Sequence, residues 1–185
     1  MAKPIEYGIE KLAANQACYL AQELANLIDT VHNQGLSFDR LTDLVPEEYA
    51  VHWQETLKFL QIITEYWPQI LAERQLIDAS DRRNRLLRAQ IDLWRQNPPV
   101  KRIVAAGTTA AFPLMKELVK TVLSLEKGEL YLAGIDKFLE DEAWEKIDET
   151  HPQHELKELL DYLTVRREDI PDLQAPENFG REVLI

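Results

Sequence analysis

Ile103-Val104-Ala105-Ala106-Gly107-Thr108-Thr109, followed further on by Leu130-Tyr131-Leu132-Ala133, carries the strongest pattern in this 185-residue chain. Ile103–Ala106 is a short apolar run that predicts a strand, and Gly107-Thr108-Thr109 predicts the turn after it. Pro113 suits a helix start, because its missing N–H would find no partner there in any case. Leu114, Leu118, Val119, Val122 and Leu123 then give that helix a buried stripe. Lys127-Gly128 breaks the helix, and residues 130–133 predict a second strand. Strand, helix and strand within about 35 residues make a βαβ unit, and such a crossover implies parallel pairing. Two strands alone do not make a stable sheet, so further strands are expected from outside this sequence.

Upstream, the apolar spacing is helical. Leu12, Leu20, Leu24, Leu27, Ile28 and Val31 recur at helical steps over 11–33, with Asn33-Gln34-Gly35 as the stop. Phe38, Leu41 and Leu44 line a short turn, and Pro46 opens a helix through Trp53, Leu57, Leu60, Ile63 and Tyr66. Trp67-Pro68 predicts a kink or restart, because proline disfavours helix before it. A further helix runs from about Ser80 to Gln96. Its wheel puts Leu86, Leu87, Gln90, Ile91, Leu93 and Trp94 on one face and Arg85, Arg88, Asp92 and Arg95 on the other. Asn97-Pro98-Pro99 ends it.

Downstream, Trp144 and Ile147 anchor a short helix in an acidic stretch, and Leu156, Leu159, Leu160 and Leu163 mark another after His151-Pro152. The expected fold is therefore mainly α with a small parallel βαβ element. Its parts are a helical subdomain over 1–97, the βαβ element over 98–135 and an acidic helical segment over 136–185. The apolar ending Val183-Leu184-Ile185 suggests that the polypeptide continues.

The chain is 45% hydrophobic and 29% charged, as globular proteins are. No apolar run approaches the roughly 18 residues of a membrane span, and no secretory signal opens the sequence. A single cysteine, Cys18, excludes an internal disulfide or a cysteine-held cluster, and its helical setting predicts a small core residue. These features point to the cytoplasm. The net charge of −11 divides unevenly: −7 over residues 1–73, +6 over 74–125 and −10 over 126–185. A basic middle lies between acidic ends.

Complete catalytic signatures are missing. No glycine-rich loop ending in Gly-Lys-Ser/Thr occurs, and the strand at 103–106 lacks the terminal acid that would hold magnesium. Gly107, Thr108 and Thr109 could offer N–H and hydroxyl groups to an anion, or a threonine could simply cap the following helix. His151 and His154 share a metal-like spacing, but Pro152 intervenes and no third ligand is fixed. No catalytic residue, metal site or cofactor is assigned. Arg85, Arg88, Arg95, Lys101 and Arg102 form a cluster suited to a phosphate backbone. The alternative is a solvated face, with Asp81–Arg85 and Arg88–Asp92 as i,i+4 pairs. Arg83 projects toward the apolar side, which requires a paired charge or a contact with a missing domain.

Four stretches, taken in order, resemble the AddB subunit of the bacterial AddAB helicase–nuclease. They are Leu44-Val45-Pro46 with His52-Trp53, Phe59-Leu60 and Trp67-Pro68; Leu76-Ile77-Asp78 with Arg82 to Leu87; Ile103 to Thr109 with Pro113 and Gly134-Ile135-Asp136; and Trp144 with His151-Pro152-Gln153 and Leu156 to Leu160. The family has AAGSTGS where this chain has AAGTTAA, and L-P-G-L-D where it has L-A-G-I-D, so a glycine and a proline are lost. The resemblance implies part of a superfamily-1 helicase-like domain, without the nuclease domain or its iron–sulfur cysteines. It further implies a non-catalytic scaffolding and DNA-handling role in double-strand break repair. The implied partners are the rest of the AddB polypeptide, an AddA-like motor subunit and DNA. The rival readings are an independent helical interaction module and, less favoured, a nucleotide-binding enzyme using the 107–109 loop.

Overall fold

A computed structural model describes residues 13–38 and 59–173. The predicted turn over Leu41 and Leu44, the helix start at Pro46 and the anchors Trp53 and Leu57 lie outside those residues, as do both chain ends. Within them the architecture is mainly helical around one two-stranded parallel sheet. No described helix is long and apolar enough to cross a membrane.

Helix α1 spans Ala14–Asn33. The Gln16 side chain accepts the Ala13 N–H at 3.1 Å and secures its start. Gly35, at φ +68°, ends it as the sequence predicts, with the Leu36 N–H returning to the Val31 carbonyl at 2.9 Å. Ile28 is buried, but Cys18 is exposed, contrary to the core position expected for it. At about 100° per residue, Cys18 stands roughly 80° around the helix from Ile28, away from Leu20 and Leu24.

The restart expected at Trp67-Pro68 takes the form of a π-helical turn, Ile62–Tyr66, running into α2, Trp67–Glu73. Trp67 keeps helical dihedrals, and its N–H bonds to Ile62, five residues back. Widening the turn just before the proline accommodates a residue that clashes with a normal preceding turn. The indole N–H of Trp67 donates to Asp78 at 3.0 Å and pins α2 to the start of α3.

Helix α3 spans Ala79–Gln96, and Asn97 closes it with an N–H to the Leu93 carbonyl at 2.7 Å. Its buried side differs from the predicted one. Ser80, Asn84 and Ile91 are buried, with Leu87 and Trp94 half-buried, whereas Leu86 and Leu93 are 59% and 53% exposed. Two polar residues continue the stripe because each has a partner on α1. Ser80 Oγ lies 2.9 Å from His32 Nδ1, and Asn84 donates to the His32 carbonyl at 2.6 Å.

The βαβ unit forms as predicted: β1 at Ile103–Ala106, α4 at Pro113–Ser124 and β2 at Gly128–Tyr131, with β1 and β2 parallel. The second strand begins two residues earlier than the expected 130–133. Ile103 pairs with Gly128 and Ala106 with Tyr131. Gly128 belongs to the strand because the chain passes hard against the end of α4 there; a β-carbon would sit 1.7 Å from the Val122 carbonyl oxygen. Ile103 and Ala105 turn toward the interior, while Val104 and Ala106 are exposed on the other face.

After β2, the short helix α5, Asp141–Glu145, buries Trp144, and α6, His154–Leu163, buries Leu156, Leu159 and Leu160. Ala110, Val119 and Leu159 form the innermost cluster, with Met115, Leu130, Leu132 and Leu163 packed against it. The loop after β1 thus contributes a core residue.

Candidate nucleic-acid interface

The five basic residues considered for phosphate contact, Arg85, Arg88, Arg95, Lys101 and Arg102, do not present one free electropositive face. Arg85 returns one turn along α3 and pairs with Asp81 at 2.8 Å, as its i,i+4 spacing predicts. Arg95 crosses to α4 and pairs with Glu117 at 2.9 Å, a contact no local spacing announces. Arg102, just before β1, pairs with Glu129 on β2 and also donates to the Tyr131 hydroxyl at 3.0 Å. That hydroxyl in turn donates to Glu129 at 2.6 Å.

Arg102, Glu129 and Tyr131 form a partly exposed hydrogen-bonded triad. The hydrogen bond from Arg102, then that from Tyr131, holds the Glu129 carboxyl below its ordinary range. The hydrogen bond to Glu129 raises both the Arg102 guanidinium and the Tyr131 phenol. Each partner favours the charge state that the others need.

Arg88 and Lys101 differ. Both are exposed, and neither pairs with a described residue, so the expected Arg88–Asp92 pair does not form. Arg88 lines a cleft of about 340 Å³ with His32, Asn84, Leu114, Glu117 and Tyr162, where the end of α1 meets α3 and α4. Arg83 finds local partners: it donates to the Asn33 side chain and stacks over the Phe112 ring at 5.3 Å. That contact ties α1, α3 and the start of α4 together.

The loop at 107–109 also departs from its predicted role. Phe112 occupies the N-cap of α4, and no side chain caps the helix. Thr108 Oγ1 instead accepts the Ala110 N–H at 3.0 Å, two residues on, and so stabilises the turn itself. Gly107 and Ala110 both have positive φ, +67° and +51°. Ala110 adopts the left-handed conformation without being glycine, and its methyl group goes into the core. Thr109 Oγ1 donates to the Glu155 carboxylate of α6. A phosphate at this loop would meet that negative charge.

His151 and His154 hold no third ligand between them. His151 Nδ1 accepts the Gln153 N–H at 3.1 Å, His154 lies 3.7 Å from Glu158, and no metal-capable cluster of His, Cys, Asp or Glu occurs among the described residues. Sequence reasoning missed Glu117, Glu129, Tyr131 and Glu155, the partners that neutralise the basic residues and the loop. Only Glu129 and Tyr131 had a signal, since their i,i+2 spacing puts both on one face of a strand. No family model, curated protein or solved structure matches this chain.

Proposed function

We propose that this chain is a non-catalytic, helicase-like part of a larger DNA-processing protein of the AddB type, with a scaffolding role in double-strand break repair. The observation that supports the reading is the sheet. A parallel β1–α4–β2 unit has α4 packed on it, while its opposite side exposes Val104 and Ala106 and the described residues add no third strand. Parallel strands are ordinarily buried on both faces within larger sheets, so the unit has the form of one corner of an α/β core. In this reading the rest of the AddB-type polypeptide supplies the remaining strands, and an AddA-like subunit supplies ATP-driven movement. Genomic neighbourhood tests it. A nuclease-coding sequence continuous with this frame, beside a gene for a motor subunit, is expected; a frame with neither refutes the reading.

DNA handling in the assembled protein then falls chiefly to Arg88 and Lys101, because Arg85, Arg95 and Arg102 are already paired with carboxylates. Each phosphate contact contributes about 0.9 to the logarithmic salt slope, so the two together contribute about 1.8. Reversing Arg88 and Lys101 to glutamate in the full complex should reduce the slope by that amount, whereas reversing Arg85 alone should change it little. Unchanged affinity in the double variant refutes the contact.

A second reading, an independent helical interaction module, draws on the exposed outer side of α3 at Leu86 and Leu93. Nucleotide binding at 107–109 is disfavoured by Glu155 against Thr109 and by the burial of Ala110. Saturable ATP binding abolished by Thr108→Ala would reinstate it.

A further inference from the structure

We propose that Phe138 anchors a docking site for another protein, one whose surface offers an apolar pocket rimmed by lysine or arginine. Phe138 is 98% exposed, and a single exposed apolar side chain would by itself need no explanation. The backbone beneath it is what sets it apart. One Asp136 carboxylate oxygen accepts both the Phe138 N–H at 2.8 Å and the Leu139 N–H at 3.0 Å, folding the chain into a tight turn. That turn is held from outside at three further points. The Gln153 side chain accepts the Asp136 N–H at 3.0 Å, and Arg167 donates to the Asp136 carbonyl at 3.1 Å. Lys137 reaches the Ile170 carbonyl at 2.5 Å and Asp172 at 2.6 Å.

Phe138 therefore stands on a braced turn with its ring in solvent. A backbone preset in this way loses little conformational freedom on binding, and aromatic residues fill the central pockets of protein interfaces. The turn's charge identifies the partner. Residues 136–142 carry four carboxylates and one lysine, and Glu140 and Glu142 are exposed with no ion pair among the described residues. Anionic lipid and nucleic acid are both repelled by such a surface, whereas a basic rim around an apolar pocket complements it.

The test replaces Phe138 with the photoreactive p-benzoyl-phenylalanine in the full chain, irradiates cells of the parent organism and maps the adduct. One discrete protein adduct is expected, joined at an apolar residue flanked by lysine or arginine. The same probe at exposed Leu86 should not form it. With that partner purified, Phe138→Ala should weaken binding at least about 30-fold without lowering the thermal midpoint of the free chain, since the ring contacts almost nothing. Asp136→Ala, which releases the turn but keeps the ring, should weaken binding about tenfold. Absence of a discrete adduct, an adduct to lipid, nucleic acid or a second copy of this chain, or full-strength binding by Phe138→Ala overturns the proposal.

Discussion

Replacing Gly128 by alanine adds one methyl group where the fold leaves no room for it. The new β-carbon would lie 1.7 Å from the Val122 carbonyl oxygen, 2.7 Å from the Val122 carbonyl carbon and 3.2 Å from Leu125 Cβ. The first two neighbours are backbone and cannot swing aside. To restore ordinary van der Waals separation, β2 must withdraw from α4 by roughly 1.5 Å or more. That movement strains the adjoining contacts, in which the Ile103 N–H reaches the Lys127 carbonyl at 3.0 Å and the Gly128 N–H reaches the Leu125 carbonyl at 3.1 Å. Overpacking costs about 1–3 kcal/mol and a weakened hydrogen bond about 1 kcal/mol, so the loss should be about 3 kcal/mol. For a chain of this size that corresponds to roughly 6–12 °C in the thermal midpoint. Thermal and urea unfolding followed by circular dichroism provide the measurement. Gly107→Ala is the control: its β-carbon meets nothing within 4 Å, but φ is +67°, so only the left-handed penalty of about 1–2 kcal/mol applies. If Gly128→Ala loses less than Gly107→Ala, the close approach of β2 to α4 is refuted.

Three further outcomes follow from other sites. Thr164 ends α6 at φ +58°, a conformation costly for a β-branched residue, so Thr164→Gly should stabilise the chain by about 1 kcal/mol in urea unfolding, and a loss would refute the strain. Glu158 on α6 accepts a hydrogen bond from Lys116 at 2.8 Å, which holds its carboxyl below the ordinary 4.5; the stability gap between wild type and Glu158→Gln should be full above pH 4.5 and close as pH falls through the lowered folded value. A gap independent of pH would exclude that pair. Exposed Cys18 should react completely with a thiol reagent in the native state without loss of helical signal, whereas protection until unfolding would place it in the core.

The parts of the fold legible in sequence were those with local causes. Asn97-Pro98-Pro99 stops α3 at the expected residue, Gly35 stops α1, and the alternation of strand and helix over 103–131 required parallel pairing. The misplaced start of β2 had a tertiary cause, since nothing in Lys127-Gly128 announces that the glycine is needed for space beside Val122. Leu86 and Leu93 were placed with the buried side because a helical wheel gives the position of an apolar sector but not how much of it a neighbour covers. Ser80 and Asn84 escaped for the opposite reason: their burial depends on groups of His32 that hydrophobic spacing cannot reveal. The basic cluster divides in the same way. The Asp81–Arg85 pair is written in its spacing, while Arg95–Glu117 and Arg102–Glu129 exist only once α3 meets α4 and β1 meets β2.

The two-stranded sheet also bears on how the chain avoids self-association. Among the described residues each strand keeps one edge with unpaired backbone donors and acceptors, and such an edge is a template on which a second molecule can add a strand. Both strands are only four residues long, and the entry to β1 carries Lys101 and Arg102 while β2 carries Glu129. A copy pairing along β1 in parallel register would stack its own Lys101 and Arg102 on those of the first, and one pairing along β2 would stack Glu129 on Glu129. Lys101, Arg102 and Glu129 thus act as gatekeepers against fibril-like growth. Neutralising Lys101, Arg102 and Glu129 together removes that barrier at both edges.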